Sequence, residues 1–104
     1  MDNEITSDGE ITSSSGNVFE DLGFETEEAE NLRVRARLMA PLERYVRERD
    51  LTQMEAAKEL ETTQARISEL VNGKVQAFSI DALVNMLSRV GLEVDVRVRS
   101  KQKA

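Results

Sequence analysis

Apolar residues recur at helical spacing through the middle of the chain and at alternate positions near its end. The first such stretch predicts a long helix with Thr26 as its N-cap, ending near Asp50. Its buried stripe would be formed by Leu38, Leu42, Tyr45 and Val46. Pro41 interrupts the pattern and either kinks one helix or begins a second. Because the apolar period continues across Pro41, one kinked helix is favoured.

Two shorter helices follow, one predicted over about residues 53–60 and the other over about residues 64–72. Thr52 can cap the first helix and Thr63 can cap the second. The faces that they bury would be formed by Met54, Ala57, Leu60, Ile67, Leu70 and Val71. Because Ala57 is small, the two helices can cross closely and steeply, as a helix-turn-helix requires.

The last part of the chain shows two different periods. A loop from Lys74 to Phe78, whose ring would fill the core, precedes a helix over about residues 80–90 that Ser79 caps. The apolar face of that helix would be Ile80, Leu83, Val84, Leu87 and Val90. Charged residues then alternate with Leu92, Val94, Val96 and Val98, which predicts a half-buried strand over residues 92–99. A lone strand is unstable in water, so the same strand of a second copy is its expected antiparallel partner.

Charge is distributed unevenly along the chain. Residues 1–31 hold ten acidic residues and no basic one, whereas residues 32–104 hold fourteen basic and ten acidic residues. The net charge of -6 therefore hides a mildly basic body that is compatible with phosphate binding. We expect residues 1–25 to be a flexible acidic tail with an apolar segment at residues 17–24. That segment contains Val18, Phe19, Leu22 and Phe24, and either docks on the protein's own core or folds onto a partner.

Composition argues against several classes of function. The chain has no cysteine and no histidine, so it lacks thiolate chemistry, the commonest metal ligand and the usual general base. It also lacks a glycine-rich phosphate loop, and we expect no enzyme activity, cofactor or metal site. No apolar run of about 18 residues is present and the N-terminus is acidic, so we expect a cytoplasmic protein without membrane contact.

The stretch LTQMEAAKELETTQARISELVNG, residues 51–73, resembles the helix-turn-helix of the lambda-repressor-like (XRE) family. The matching positions are Leu51, Thr52, Gln53, Ala57, Leu60, Ile67, Ser68, Leu70 and Gly73. The family often has glycine in the turn, where Glu61 must either tolerate a strained backbone or change the turn geometry. The resemblance implies a mainly α bundle of four to five helices over residues 26–104, with the strand at 92–99 pairing across a dimer.

The wider chain, roughly residues 17–99, resembles the HigA-like antitoxins within that family. The motifs that carry this resemblance are Asn17-Val18-Phe19, Phe24, Glu30-Asn31-Leu32, Arg35, Leu38-Met39, Phe78-Ser79-Ile80-Asp81 and the closing Leu-x-Val-x-Val pattern. It implies an antitoxin that represses its own operon and whose segment 17–24 covers a toxin of the RelE/HigB type. A stand-alone XRE-type regulator has the same architecture, and a helical interaction module that does not bind DNA is a further alternative.

In this family the second helix of the motif enters the major groove of DNA. The resemblance implies DNA contacts by Gln53, Thr63, Gln64, Ala65, Arg66, Ser68, Glu69, Asn72 and Lys74. Gln64 can pair with adenine, Arg66 with guanine, and the Ala65 methyl can touch a thymine methyl. Thr63 is favoured as a helix cap over a DNA ligand, and Glu69 could hold Arg66 in place. A dimer would present two such helices to the half-sites of a palindromic operator, about 34 Å apart.

Overall fold

The computed structural model describes residues 17–100. These residues form five α-helices and one short 3-10 helix, so the prediction of a mainly α fold is confirmed for them. The helices are α1 Val18–Asp21, α2 Thr26–Glu48, α3 Gln53–Leu60, α4 Gln64–Val71, the 3-10 helix Val75–Ala77 and α5 Ile80–Arg89. Most of the predicted flexible tail, residues 1–16, and the C-terminal residues 101–104 lie outside the described residues. The 3-10 helix replaces the loop that was predicted before Phe78.

Helix α2 continues through Pro41 without a break, so the alternative of a second helix beginning at Pro41 is wrong. The prediction of Thr26 as the N-cap is also wrong. Thr26 is already helical, and Glu25 occupies the cap position without a capping hydrogen bond from its side chain. The acidic Glu27 and Glu28 in the first turn complement the positive end of the helix dipole instead.

All five α-helices end in the same backbone arrangement. A residue in the left-handed region follows each helix, and these residues are Gly23, Asp50, Glu61, Gly73 and Gly91. The next residue then donates its N–H to the carbonyl five positions earlier, over 2.9–3.1 Å. Three of the five positions are glycine, which adopts this conformation without a steric penalty. Asp50 and Glu61 adopt it with a Cβ atom, and Glu61 lies inside the helix-turn-helix.

The core lies where α2, α3, α4 and α5 meet. It consists of Met39, Leu42, Val46, Ala56, Ala57, Leu60, Ile67, Leu70, Phe78, Leu83, Met86 and Leu87. Phe78 fills it as predicted, with 3% of its surface exposed. The predicted burial of Met54, Val71 and Val84 is wrong, because their exposed fractions are 69%, 41% and 37%. Helices α3 and α4 have eight residues each and bury only a narrow stripe, in which Ala56 replaces Met54.

Helix α1 packs against the N-terminal part of α2. Asn17 caps α1, since its Oδ1 accepts from the amide of Phe19 at 2.9 Å. Phe19 and Phe24 meet edge to face, with ring centroids 6.2 Å apart. Ala29 and Leu32 of α2 are fully buried but lie outside the main core cluster. The N-terminal segment and this part of α2 therefore form a small apolar unit of their own.

Residues 92–100 follow α5 in an irregular path, and no strand is present among residues 17–100. Val94 packs against the core, whereas Val96 and Val98 are 80% and 88% exposed. The predicted strand over residues 92–99 is therefore not confirmed in a single copy, which offers no second strand for it to pair with. Within the described part of the chain, no helix combines the length and the apolar character needed to cross a membrane.

Candidate nucleic-acid interface

The two helices of the motif, α3 and α4, both begin at a capped threonine. Thr52 Oγ1 accepts from the amide of Glu55 at 3.1 Å, and Glu55 Oε1 accepts from the amide of Thr52 at 2.9 Å. These two bonds form the predicted capping box. Thr63 Oγ1 accepts from the amide of Arg66 at 3.1 Å. Both hydroxyl groups therefore stabilise helix starts, as the sequence predicted.

Helix α3 is also fixed to α2 by a polar contact. The Tyr45 hydroxyl donates to Glu59 Oε1 over 2.6 Å, and the Arg49 guanidinium lies 4.6 Å from the centroid of the Tyr45 ring. The hydrogen bond to the Glu59 carboxylate is the main reason that the pKa of Tyr45 is raised above its usual value of 10.0. This contact orients the first helix of the motif on the helix that carries half of the chain's arginines.

The turn between α3 and α4 contains Glu61 with φ 55° and ψ 51°, which is the left-handed conformation. Of the two possibilities that the sequence left open, a strained backbone is the one adopted. Arg89 of α5 supports this turn. Its Nη1 donates to the carbonyl of Leu60 at 3.2 Å, and its Nε lies 3.5 Å from a carboxylate oxygen of Glu61. Sequence reasoning missed Arg89, because its partners lie 28 and 29 positions away in the chain.

Helix α4 presents a polar face to solvent. Ile67 and Leu70 are buried on its inner side. The opposite side, at the helical spacing i, i+3, i+4 and i+7, consists of Ala65, Ser68, Glu69 and Asn72. We call these four residues the outward face of α4. The exposed Gln64 lies at one edge of this face, next to Val71, and Arg66 lies at the other edge.

Arg66 is engaged with its own protein. Its Nη1 donates to Glu69 Oε1 at 2.9 Å and to the carbonyl of Ala77 at 2.6 Å. Its guanidinium carbon also lies 5.4 Å from the centroid of the Phe78 ring. The predicted pairing of Glu69 with Arg66 is present, whereas the contacts with Ala77 and Phe78 could not be foreseen from the sequence. Arg66 and Arg89 both line a cleft of about 360 Å³ behind the turn.

Two further predicted DNA-contact residues lie at the C-terminal end of α4. Asn72 Nδ2 donates to the carbonyl of Ser68 at 2.8 Å, which ties the side chain to the last turn of the helix. Gly73 then reverses the chain with φ 71°, and the exposed Lys74 follows it. Gln53, the remaining predicted residue, is half-buried at the start of α3. All nine predicted DNA-contact residues therefore lie on α4, at its ends or at the start of α3.

The motif itself is not basic. Residues 53–74 contain three basic residues, Lys58, Arg66 and Lys74, against four glutamates. Six arginines instead lie between residues 33 and 49, on α2 and at its end. Since contacts with phosphate supply most of the sequence-independent affinity for DNA, one copy of this motif would bind DNA weakly. High affinity would require the α4 helices of more than one copy, or phosphate contacts from α2.

The four apolar residues of the predicted partner-binding segment differ in their exposure. Val18 and Leu22 are 59% and 69% exposed. Phe19 and Phe24 are half-buried and contact each other. The segment thus packs on its own α2 with its aromatic residues half-buried, and it still exposes two aliphatic side chains.

A family model described as a helix-turn-helix domain matches residues 18–99. The match begins at the first residue of α1 and ends at the last residue of the alternating segment 92–99, so it includes both of these segments together with the motif. A search among curated proteins finds no match.

Proposed function

The chain belongs to the helix-turn-helix domain family, and we propose that it is a sequence-specific transcriptional repressor of the lambda-repressor-like (XRE) kind. The observation that carries this proposal is the outward face of α4, which is mostly polar, is exposed at Ala65 and Asn72 and half-buried at Ser68 and Glu69, and is capped at Thr63. The major groove of B-DNA is about 12 Å wide and admits one α-helix. With Ile67 and Leu70 buried behind it, α4 can enter the groove without exposing the core.

The exposed side chains suit direct contacts with base edges. The Gln64 amide can donate to and accept from adenine, and the Ala65 methyl can contact a thymine methyl. The Ser68 hydroxyl can pair with several bases. Beyond the end of the helix, Lys74 is placed to contact a phosphate, as a residue that positions α4 without selecting sequence.

Replacing Gln64 by alanine tests this assignment. The unmodified chain is first used to select a binding sequence from random duplexes, and the affinities of all single-base variants of that sequence are then measured. Gln64→Ala should lose about 5- to 150-fold in discrimination at one base pair, the range for one bidentate pair. Gln76→Ala, the same change at the exposed glutamine of the 3-10 helix, should leave the base preference unchanged. An unaltered base preference in Gln64→Ala would show that this residue does not read DNA.

We further propose that two copies pair through residues 92–99. An antiparallel pairing with the two-fold axis at Val96 places Glu93 opposite Arg99 and Asp95 opposite Arg97. Val94 of each copy then lies opposite Val98, so the cross-strand pairs within residues 93–99 are complementary. The exposure of Val96 and Val98 and the low charge of the motif support this proposal, because a dimer would bury both valines and present two recognition helices.

We also propose that this repressor is the antitoxin of a type II toxin–antitoxin module of the HigA-like branch. It is supported by the unit formed by α1 and the first part of α2. This unit exposes Val18 and Leu22, and residues 17–31 include six acidic residues and no basic one. Such a surface suits a basic partner with an apolar pocket, as a toxin of the RelE/HigB type would be. A stand-alone XRE-type regulator is the alternative, in which this surface has no partner.

Two valine substitutions test the proposed dimer and the proposed toxin contact separately, and each is the control for the other. Val96→Asp should give a monomer in light scattering and lose operator binding. It should still co-purify with the product of the gene adjacent to its own, which is the candidate toxin. Val18→Asp should lose that co-purification and remain a dimer that binds the operator. If Val96→Asp stays dimeric, the pairing through residues 92–99 is wrong. If the unmodified chain captures no neighbouring product, the stand-alone regulator is correct.

A further inference from the structure

Arg66 is the residue of α4 whose contacts fit its expected role least well. An arginine near the start of a recognition helix is expected to pair with guanine through two parallel hydrogen bonds. Here the guanidinium lies at the edge of the outward face and is turned toward the 3-10 helix, where Nη1 donates to the Ala77 carbonyl over 2.6 Å. It is also paired with Glu69 and lies over the ring of Phe78, which is itself in the core.

These contacts join two segments that are close in sequence but separated by a reversal of the chain. Gly73 turns the backbone with φ 71°, and the 3-10 helix Val75–Ala77 that follows packs against α2 and places the Ala77 carbonyl within reach of Arg66. The hydrogen bond to Ala77 spans eleven positions and closes this loop. Charge-assisted hydrogen bonds are stronger than neutral ones, and the ring face of Phe78 adds a cation–π attraction. At the start of the loop, the backbone N–H of Lys74 donates to the carbonyl of Glu69 over 3.0 Å.

We propose that Arg66 is a positioning residue, which fixes the loop from Gly73 to Phe78 against the recognition helix, and that sequence selection rests on Gln64 and the outward face of α4. This inference rests on the proposed DNA-binding function and changes the role of one residue within it. Arg66 Nη1 makes both hydrogen bonds, so a guanine contact that used Nη1 would have to give up those to Ala77 and Glu69. The bidentate pair gained would then replace interactions that the free protein already has.

The test compares three substitutions of Arg66 against the same panel of single-base operator variants. Arg66→Met removes the donor, and it should lower the affinity for every duplex by a similar factor, of the order of tenfold. Arg66→Gln keeps an amide donor, and a glutamine that contacted a base at this position would pair with adenine instead of guanine. Because the proposal gives Arg66 no base contact, Arg66→Gln should leave the order of base preference unchanged. Arg66→Lys keeps both the donor and the charge toward Ala77 and Glu69, and it should restore most of the affinity.

A change from guanine to adenine preference at one base pair in Arg66→Gln would overturn the proposal, as would failure of Arg66→Lys to restore affinity. A second measurement does not depend on DNA. Amide hydrogen exchange at Ala77 and Phe78 should accelerate in Arg66→Met relative to amides in α2, and equal protection there would also overturn the proposal. If the unmodified chain shows no sequence preference, the DNA-binding function fails first, before any substitution of Arg66 is compared.

Discussion

The left-handed residue in the helix-turn-helix turn allows a sharp test by substitution. Glu61 has φ 55°, a conformation in which a Cβ atom costs roughly 1–2 kcal/mol per residue. Glycine escapes this cost but loses about 0.4–1 kcal/mol more through its freedom in the unfolded chain. Glu61→Gly should therefore be more stable than Glu61→Ala by about 1 kcal/mol. Both variants lack the carboxylate, so the contact with Arg89 cancels in this comparison.

The stability that Glu61→Gly gains over the unmodified protein should be smaller, because this substitution also removes the contact with Arg89. The ion pair between Glu61 and Arg89 is long, at 3.5 Å, and its side chains are 69% and 35% exposed. A pair of this kind contributes about 0.2–1 kcal/mol. Glu61→Gly should therefore match the unmodified protein or exceed it slightly. Its operator binding should be unchanged, because the backbone of the turn keeps its conformation.

Thermal unfolding followed by far-UV circular dichroism measures the difference. For a domain of this size, 1 kcal/mol corresponds to a shift in Tm of about 4–8 °C. The protein concentration must be the same throughout, since dimerisation would itself raise Tm. Glu59, two residues earlier and inside α3, provides the matched control. There the order should reverse, with Glu59→Gly about 1 kcal/mol less stable than Glu59→Ala. If glycine is no better than alanine at position 61, the left-handed turn is refuted.

Three other perturbations have defined outcomes. Thr63→Ala should cost about 1 kcal/mol because the α4 cap is lost, whereas Thr63→Ser should retain both stability and base preference, as measured by urea unfolding and operator binding. Glu43→Gln should raise Tm at pH 7, since burial raises the pKa of the Glu43 carboxyl above 4.5 despite the opposing charge of Arg47. A raised pKa means that the native state binds the proton more tightly, so the advantage of glutamine should shrink as the pH falls through that pKa and vanish below 4.5; an advantage independent of pH would contradict this reasoning. Leu32→Ala should accelerate hydrogen exchange in α1 more than in α4, because Leu32 is buried outside the main core; uniform acceleration would show that the two clusters unfold together.

Local signals in the sequence identified the helix starts well. Thr52, Thr63 and Ser79 cap α3, α4 and α5 as predicted, because a cap is made between residues only two or three positions apart. Thr26 was the exception, since the adjacent Glu25 can also take the cap position and α2 does not require a side-chain hydrogen bond there. Burial was predicted less well on the short helices. Met54 and Ala56 are two positions apart, and which of them faces α4 and α5 depends on how α3 is placed.

The candidate DNA interface was located by sequence but not fully explained by it. Eight of the nine predicted residues lie on α4 or at its ends, because the spacing of Ile67 and Leu70 determines which side of that helix is buried, and Gln53 lies at the start of α3. The role of Arg66 could not be read from the same spacing. Its acceptor, the Ala77 carbonyl, is brought within reach only after the chain reverses at Gly73.

The sequence by itself determined the helix-turn-helix, its caps, the side of α4 that faces solvent and the separation of an acidic first part from a mildly basic remainder. These features depend on local spacing and composition, which persist wherever the helices are placed. Only the tertiary structure decided that Glu61 adopts a left-handed backbone, that Arg89 supports the turn and that Arg66 bonds to Ala77. Each of these depends on the distance between segments that pack together in the folded chain, and that distance is set by how the core of α2, α3, α4 and α5 closes.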